Sequence, residues 1–290
     1  MAVIRENRNI GLDIRGLNFS ALHNAQTAVA TSTTFLATYN SGDMDQFRGT
    51  GFVFNAQQQL IGGAIHVFAE YTHGIGAIYV SGITVQGSAV NAAASTTSLA
   101  DDRAVVKAAL AGHDSFIGSN RRDYLDGFRG NDTLNGNAGN DTLLGNVGND
   151  KLLGGLGADL LNGGTGADKL TGGPGVDTLV GGTGNDVFVF NAPLSVLNRD
   201  RVVDFHNASG NNDSFQLENR MMPALGAAGA LNPGFFFAGA AAHDPDDHII
   251  YNMATGALLY DSNGDAAGGT TLLAVLSSRP LLSAHDFVVI

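Results

Sequence analysis

Nine aspartates stand nine residues apart, at Asp114, Asp123, Asp132, Asp141, Asp150, Asp159, Asp168, Asp177 and Asp186. Two residues after each comes a large apolar side chain: Phe116, Leu125, Leu134, Leu143, Leu152, Leu161, Leu170, Leu179 and Phe188. Two residues before comes glycine in all but one case: Gly112, Gly130, Gly139, Gly148, Gly157, Gly166, Gly175 and Gly184. A second glycine lies five before, from Gly118 and Gly127 through Gly136, Gly145, Gly154, Gly163, Gly172 and Gly181. A flexible linker has no reason to hold an acid and a leucine in step. The period therefore describes a repeated structural unit, and such a period decides the architecture before any other signal.

The unit reads G-G-x-G-x-D-x-(apolar)-x. Six residues rich in glycine and asparagine make a turn, because these residues reach positive φ at least cost. Three residues remain for a strand, whose central apolar side chain points one way. Two units then make one coil of a flattened spiral, with its apolar residues stacked in a single file inside. That core is too thin to fold any one coil alone. On one edge a turn lies over the turn two units later, about 4.8 Å away as in any sheet. Stacked carboxylates repel one another and raise each other's pKa. A cation between turns, held by aspartates and turn carbonyls, removes that cost. Calcium accepts six to eight oxygens in flexible geometry, whereas magnesium demands a tight octahedron. Metal binding and folding of this region are then expected to be one event.

The composition agrees. The formal net charge is -12, and all but three of the acids are aspartates, the exceptions being Glu6, Glu70 and Glu218. Such a chain is a poor partner for nucleic acid or anionic membranes and a good one for cations. The absence of cysteine excludes disulfides and thiolate metal sites. No run approaches the roughly 18 apolar residues of a membrane span, so no transmembrane segment is expected. The beginning, MAVIRENRNIGL, lacks the apolar core of a signal peptide, which by itself points to the cytosol.

These residues resemble the RTX family, calcium-binding nonapeptide repeats that form a parallel β-roll. The resemblance implies several calcium ions between Asp132 and Asp150, Asp141 and Asp159, Asp150 and Asp168, Asp159 and Asp177, and Asp168 and Asp186. It implies backbone contributions from Gly130, Gly139, Gly148, Gly157, Gly166, Gly175 and Gly184. The match is poorest around Asp114 and Asp123, where Arg121 replaces a turn glycine, Arg122 adds positive charge and Phe128 replaces a second glycine. FVFN at 188–191, RDRVVDF at 199–205, DSFQLEN at 213–219 and the closing AHDFVVI are similar to the region after RTX repeats. The family is exported by a type I secretion apparatus through an uncleaved C-terminal signal. That implication replaces the cytosolic reading with a secreted or cell-surface one.

The expected fold is mainly all-β: a parallel β-roll over 109–190, a mostly-β domain over 1–108 and a β-rich cap over 191–290 carrying the export signal. Within the first domain, 20–31 has weak helical periodicity and 51–72 reads as two strands around a polar turn, followed by strand-like IYVSGITVQ. Residues 98–111 read as a short helix. HIIYNMATGALLYD, 248–261, reads as a hairpin.

Other candidates are weaker. Asp261, Asn263 and Asp265 alternate like the start of a calcium loop, but no glutamate follows at EF-hand spacing, and a plain Asn-Gly turn explains them equally. His66, Glu70 and His73 lack metalloprotease spacing, and HDPDDH at 243–248 reads as a solvated loop or a cation site. No nucleophile elbow, H-E-x-x-H, P-loop or cysteine nucleophile is present. The function expected is a secreted, non-catalytic calcium-binding protein whose N-terminal domain binds a surface or polysaccharide. The alternatives are an enzyme or accessory module acting on extracellular polysaccharide, whose paired acids leave no local signature, or a surface-layer or matrix component.

Overall fold

The computed structural model describes residues 111–118, 120–195 and 197–290, together with the backbone of six strands before them. Each nonapeptide contributes one strand, and successive strands alternate between two parallel sheets. The first sheet holds Ser115–Ile117, Thr133–Asn135, Lys151–Leu153, Lys169–Thr171 and Val187–Phe190. The second holds Tyr124–Asp126, Thr142–Val147, Leu160–Thr165 and Thr178–Thr183. Register is kept at eighteen residues: Thr133 pairs with Lys151 in the first sheet and Leu143 with Leu161 in the second. Two repeats therefore close one coil. The three-residue strand expected from the unit holds in most of the first sheet. In the second, three strands lengthen to six residues because the asparagine or glycine after the strand stays paired, as at Asn146 with Gly164.

The interior differs from a single file. Phe116, Leu134, Leu152, Leu170 and Phe188 come from one sheet, while Leu125, Leu143, Leu161 and Leu179 come from the other; all are fully buried. Each coil thus contributes one apolar side chain from each sheet, a core one layer thick. Truncating Leu152 to alanine is expected to cost about 2–5 kcal/mol, as for other buried leucines. Thermal unfolding followed by circular dichroism reads this as a drop in Tm. Leu156→Ala, on a turn where Leu156 is 59% exposed, should leave Tm nearly unchanged.

The C-terminal residues carry both sheets onward. Asp200–Val202 pairs in parallel with Thr178–Thr183, and Ser214–Leu217 with Val187–Phe190. Thr270–Leu276 and Phe287–Val289 extend the two sheets further. The leucine columns run into an aromatic group in which Phe205, Phe215 and Phe287 stack at 4.5 and 5.2 Å. The hairpin expected at 248–261 forms between Ile249–Asn252 and Ala257–Asp261, with Gly256 at φ 79 closing its turn.

Before the roll, Met44–Phe54 and Leu60–Thr72 pair antiparallel, and Ile75–Gln86 continues the meander, as the alternation in 51–72 indicates. Val3–Glu6 lies between Ile75–Gln86 and Ser115–Ile117 and joins this meander to the first sheet. Within 20–31, Thr27–Ala30 is a strand paired with Thr34–Thr38 rather than helix, consistent with β-branched Thr27 and Val29. The rest of that segment, and all but the last residue of the helix expected over 98–111, lie outside the described residues. So do the side chains of His66, Glu70 and His73. Among the described residues, helical elements are three single 3-10 turns, and no helix is long and apolar enough to cross a membrane.

Candidate metal centre

The aspartates fall into two columns, one on each edge of the roll. Along one edge the N–H of Asp114 donates to Oδ1 of Asp132 at 2.7 Å. Asp132 repeats this to Asp150, Asp150 to Asp168 and Asp168 to Asp186, at 2.7–2.9 Å. Along the other edge Asp123 donates to Asp141, Asp141 to Asp159 and Asp159 to Asp177, at 2.7–2.8 Å. Each carboxylate thus spends one oxygen on the coil before it. The paired positions expected from the sequence are brought together, and the rung is a backbone-to-carboxylate hydrogen bond.

The second oxygen has no such use. Oδ2 of Asp132, Asp141, Asp150, Asp159, Asp168, Asp177 and Asp186 is buried without a hydrogen-bond partner. One orphaned acceptor is an uncommon defect in a folded protein, and a buried carboxylate oxygen is among the costliest. Seven in register are a feature of the architecture. The space in front of each is kept clear by the glycine five residues earlier: a Cβ on Gly136, Gly145 or Gly154 would meet that oxygen, and a glycine carbonyl of the following coil, at under 3.0 Å. The glycine two before each aspartate serves backbone approach. Gly148 has φ 141, and a Cβ there would overlap the Gly130 carbonyl. The donor set facing these spaces is all oxygen, carboxylate plus carbonyl, which fits a hard cation such as calcium.

Without a cation the carboxyls are displaced far from the ordinary 3.8. Burial, reinforced by neighbouring aspartates and only partly offset by the backbone hydrogen bond, pushes Asp132, Asp141 and Asp168 up to about 7. Asp177 likewise rises to about 7 and Asp186 to about 6. Asp150 and Asp159 are raised by the same burial.

Two rungs escaped the sequence reading. Asp177 N–H donates to Oδ1 of Asp200 at 3.1 Å, and Asp186 N–H to Oδ1 of Asp213 at 3.0 Å. Burial pushes Asp200 up to about 8, with the Asp177 charge adding to it. Both keep the aspartate-to-apolar step of the repeat, to Val202 and Phe215, but the nine-residue spacing is lost, so counting alone misses them. At Asp213 the second oxygen accepts from the His206 N–H at 2.8 Å, so this rung ends the series of orphaned oxygens on its edge. Asp204 closes the last turn by accepting from Gly181 and Gly182, both at 2.9 Å. An asparagine ladder runs outside the aspartates: Asn131 Oδ1 accepts from Asn149 N–H, and Asn149 Oδ1 from Ala167 N–H.

Phe128 departs from the repeat in sequence yet keeps its backbone, with φ 64 where Asn137 and Asn146 have 70 and 69. Its ring packs against the core. Asp261 and Asn263 are brought together, but as a hydrogen-bonded turn. Asp261 Oδ1 accepts from Asn263 N–H at 3.1 Å and Oδ2 from the Thr270 hydroxyl at 2.9 Å, while Asp265 is exposed.

The model of the RTX calcium-binding nonapeptide repeat (four copies) matches residues 109–143, 126–161 and 153–188. No curated protein matches the chain. Among solved structures, the AlgE6R3 subunit from the Azotobacter vinelandii mannuronan C5-epimerase is similar at 23% identity. That match covers 61% of this chain and 78% of the other, with a TM-score of 0.20.

Proposed function

We propose, from the premise that residues 109–188 are RTX calcium-binding nonapeptide repeats, that this chain is a secreted, non-catalytic protein whose roll folds as it takes up calcium. The observation that carries the reading is the row of seven buried, unpartnered carboxylate oxygens. Asp132, Asp141, Asp150, Asp159, Asp168, Asp177 and Asp186 would supply the charged oxygens. Carbonyls of the turn glycines, Gly130, Gly139, Gly148, Gly157, Gly166, Gly175 and Gly184, would add neutral ones. Several ions would be held, in two columns between successive coils. Asp114 and Asp123 would serve the first coil. Calcium would supply the positive charge that the buried carboxylates lack, and the chain's own residues would set spacing and exclude water.

The same balance gives the biological role. Where calcium is scarce, mutual repulsion and desolvation of the aspartates hold the roll open, the state suited to passage through a type I secretion apparatus. Outside the cell, abundant calcium closes it. The similarity of 199–205, 213–219 and AHDFVVI to the region after RTX repeats supports that route. The N-terminal domain would then supply the specific contact, to a cell surface or polysaccharide.

Far-UV circular dichroism during a calcium titration of the chelated protein tests the switch. A cooperative gain of β-signal at about 0.1–1 mM calcium, the range of extracellular modules, is expected, with none in magnesium. A folded spectrum in chelator at neutral pH, unchanged by calcium, would overturn it.

A further inference from the structure

We infer that a surface cavity near the C-terminal end binds a small amphiphile: a monocarboxylate with a short hydrocarbon body, whose carboxylate accepts from the Tyr251 hydroxyl and faces Arg279. The cavity has a volume of about 320 Å³ and lies where the paired strands Phe236–Ala238 and Ile249–Asn252 meet the segment at 281–282. Ala238, Tyr251, Met253, Leu281 and Leu282 line it. Ligand pockets run from roughly 300 to 1,000 Å³, so this one suits a short chain.

Tyr251 carries the inference. The residue is 1% exposed, and its hydroxyl is buried without a hydrogen-bond partner. A buried tyrosine hydroxyl normally finds a partner, because an unmade hydrogen bond leaves the whole desolvation cost standing. Tyr251 pairs with Ala238 across the two strands, and paired residues stand on the same face of a sheet. The ring therefore rises on the side where Ala238 borders the cavity. Burial raises the hydroxyl above the ordinary 10, so it stays a donor and calls for an acceptor.

The charge beside it selects the acceptor. The guanidinium of Arg279 is close enough to act on that hydroxyl, working against the effect of burial. Arg279 itself is exposed, and among the described residues no carboxylate forms an ion pair with it. Its backbone is at φ 48, directly before Pro280. Outside the roll it is the one described residue other than glycine at positive φ, a conformation that a bulky side chain takes at a cost and that gathers at ligand sites. The segment is tied down on both sides. The Ser278 hydroxyl donates to the Phe205 carbonyl at 3.0 Å, and Asn207 Nδ2 to the Leu281 carbonyl at 2.6 Å. The wall is otherwise largely apolar, and its rim leaves Met253 and Leu281 exposed, surface that a hydrocarbon body would cover. A neutral ligand leaves the guanidinium unused, and a cation is repelled by it. The site shares no residue with the aspartate columns, so it stands or falls apart from the function proposed above.

The test is a methyl NMR titration of the calcium-loaded full chain, with sodium hexanoate as probe and the Met253 methyl as reporter. Met253→Leu assigns that signal. Hexanoate should shift it saturably, with hexanol binding about tenfold or more weakly and hexylammonium not at all. Arg279→Gln should bring hexanoate down to the affinity of the alcohol. Tyr251→Phe removes only a hydroxyl without a partner, so the calcium-loaded circular dichroism should stay the same. Its hexanoate should bind about tenfold or more weakly, the value of a hydrogen bond to a charged group. Should Tyr251→Phe disturb the fold, Ala240→Phe fills the cavity from an exposed position and should abolish the shift. No saturable shift in wild type, equal affinity for all three probes, or hexanoate binding unchanged by the substitutions would overturn the site and leave the Tyr251 hydroxyl as a cost of packing.

Discussion

Stripped of calcium, the chain is expected to fold when acidified. At pH 8 in chelator the roll region should be open, and its β-signal should return as the pH falls through 7 toward 4. The sign follows from linkage. The unfolded aspartates titrate near 3.9, whereas in the metal-free roll those of Asp132, Asp141, Asp168, Asp177 and Asp200 do so at about 7 to 8, raised chiefly by burial. Below 3.9 both states hold their protons and the stability is fully present. As pH rises the unfolded chain ionises first, and the stability is lost by the time the folded pKa values are passed. One such group acting alone would contribute on the order of 4 kcal/mol, comparable with the roughly 5–15 kcal/mol that holds a typical domain folded. Protons and calcium are alternatives here, each neutralising the same buried oxygens. The experiment is circular dichroism against pH in chelator at low protein concentration, since the pI is near 4.8. A chelated chain that stays open from pH 8 to 4, or folded throughout, would sink the account.

The second expected result is a substitution with opposite effects in the two states. Asp159→Asn keeps an oxygen to accept from the Asp141 N–H, now bonded at 2.7 Å. It replaces the buried, unpartnered Oδ2 with an amide nitrogen beside the Gly172 carbonyl. In chelator the variant's β-signal should return at a higher pH than its parent's, because one buried carboxylate fewer must be protonated before the roll closes. With calcium the order should reverse, the midpoint of the titration rising roughly tenfold because ligand charge sets affinity. Asp265→Asn, at an exposed position, should change neither. Circular dichroism against pH in chelator, and against calcium at neutral pH, checks both signs. Destabilisation in chelator would mean that Asp159 holds the coil by its rung alone.

Much of this was legible because a nine-residue period leaves few geometries open. The eighteen-residue register, the alternation of Leu143 and Leu152 into one core and the pairing of Asp141 with Asp159 all follow from keeping turns above turns. What the period does not carry is anything that breaks it. Asp200 and Asp213 follow their predecessors by 23 and 27 residues, so no count reaches them, and only the aspartate-to-apolar step marks them. Phe128 reads as a failed turn because its side chain is wrong for positive φ, yet the coils on either side hold the backbone there. The glycine-five position looked like turn chemistry; only atomic packing connects it with an orphaned oxygen. Nor does residue spacing tell which oxygen of Asp261 a neighbouring hydroxyl will satisfy.

The alternation of strands between two sheets has an evolutionary corollary. Val3–Glu6 joins the roll through Ser115–Ile117, and Ser214–Leu217 joins it through Val187–Phe190, on the same sheet. Insertion or deletion of a single nonapeptide would carry everything at one end across to the opposite face, uncoupling the N-terminal strands from the side on which the C-terminal ones sit. A change of eighteen residues only lengthens the roll by one coil, about 4.8 Å. Descendants of this chain can therefore vary in length in steps of two repeats while keeping their ends in place, and a lone repeat gained or lost exchanges one face for the other.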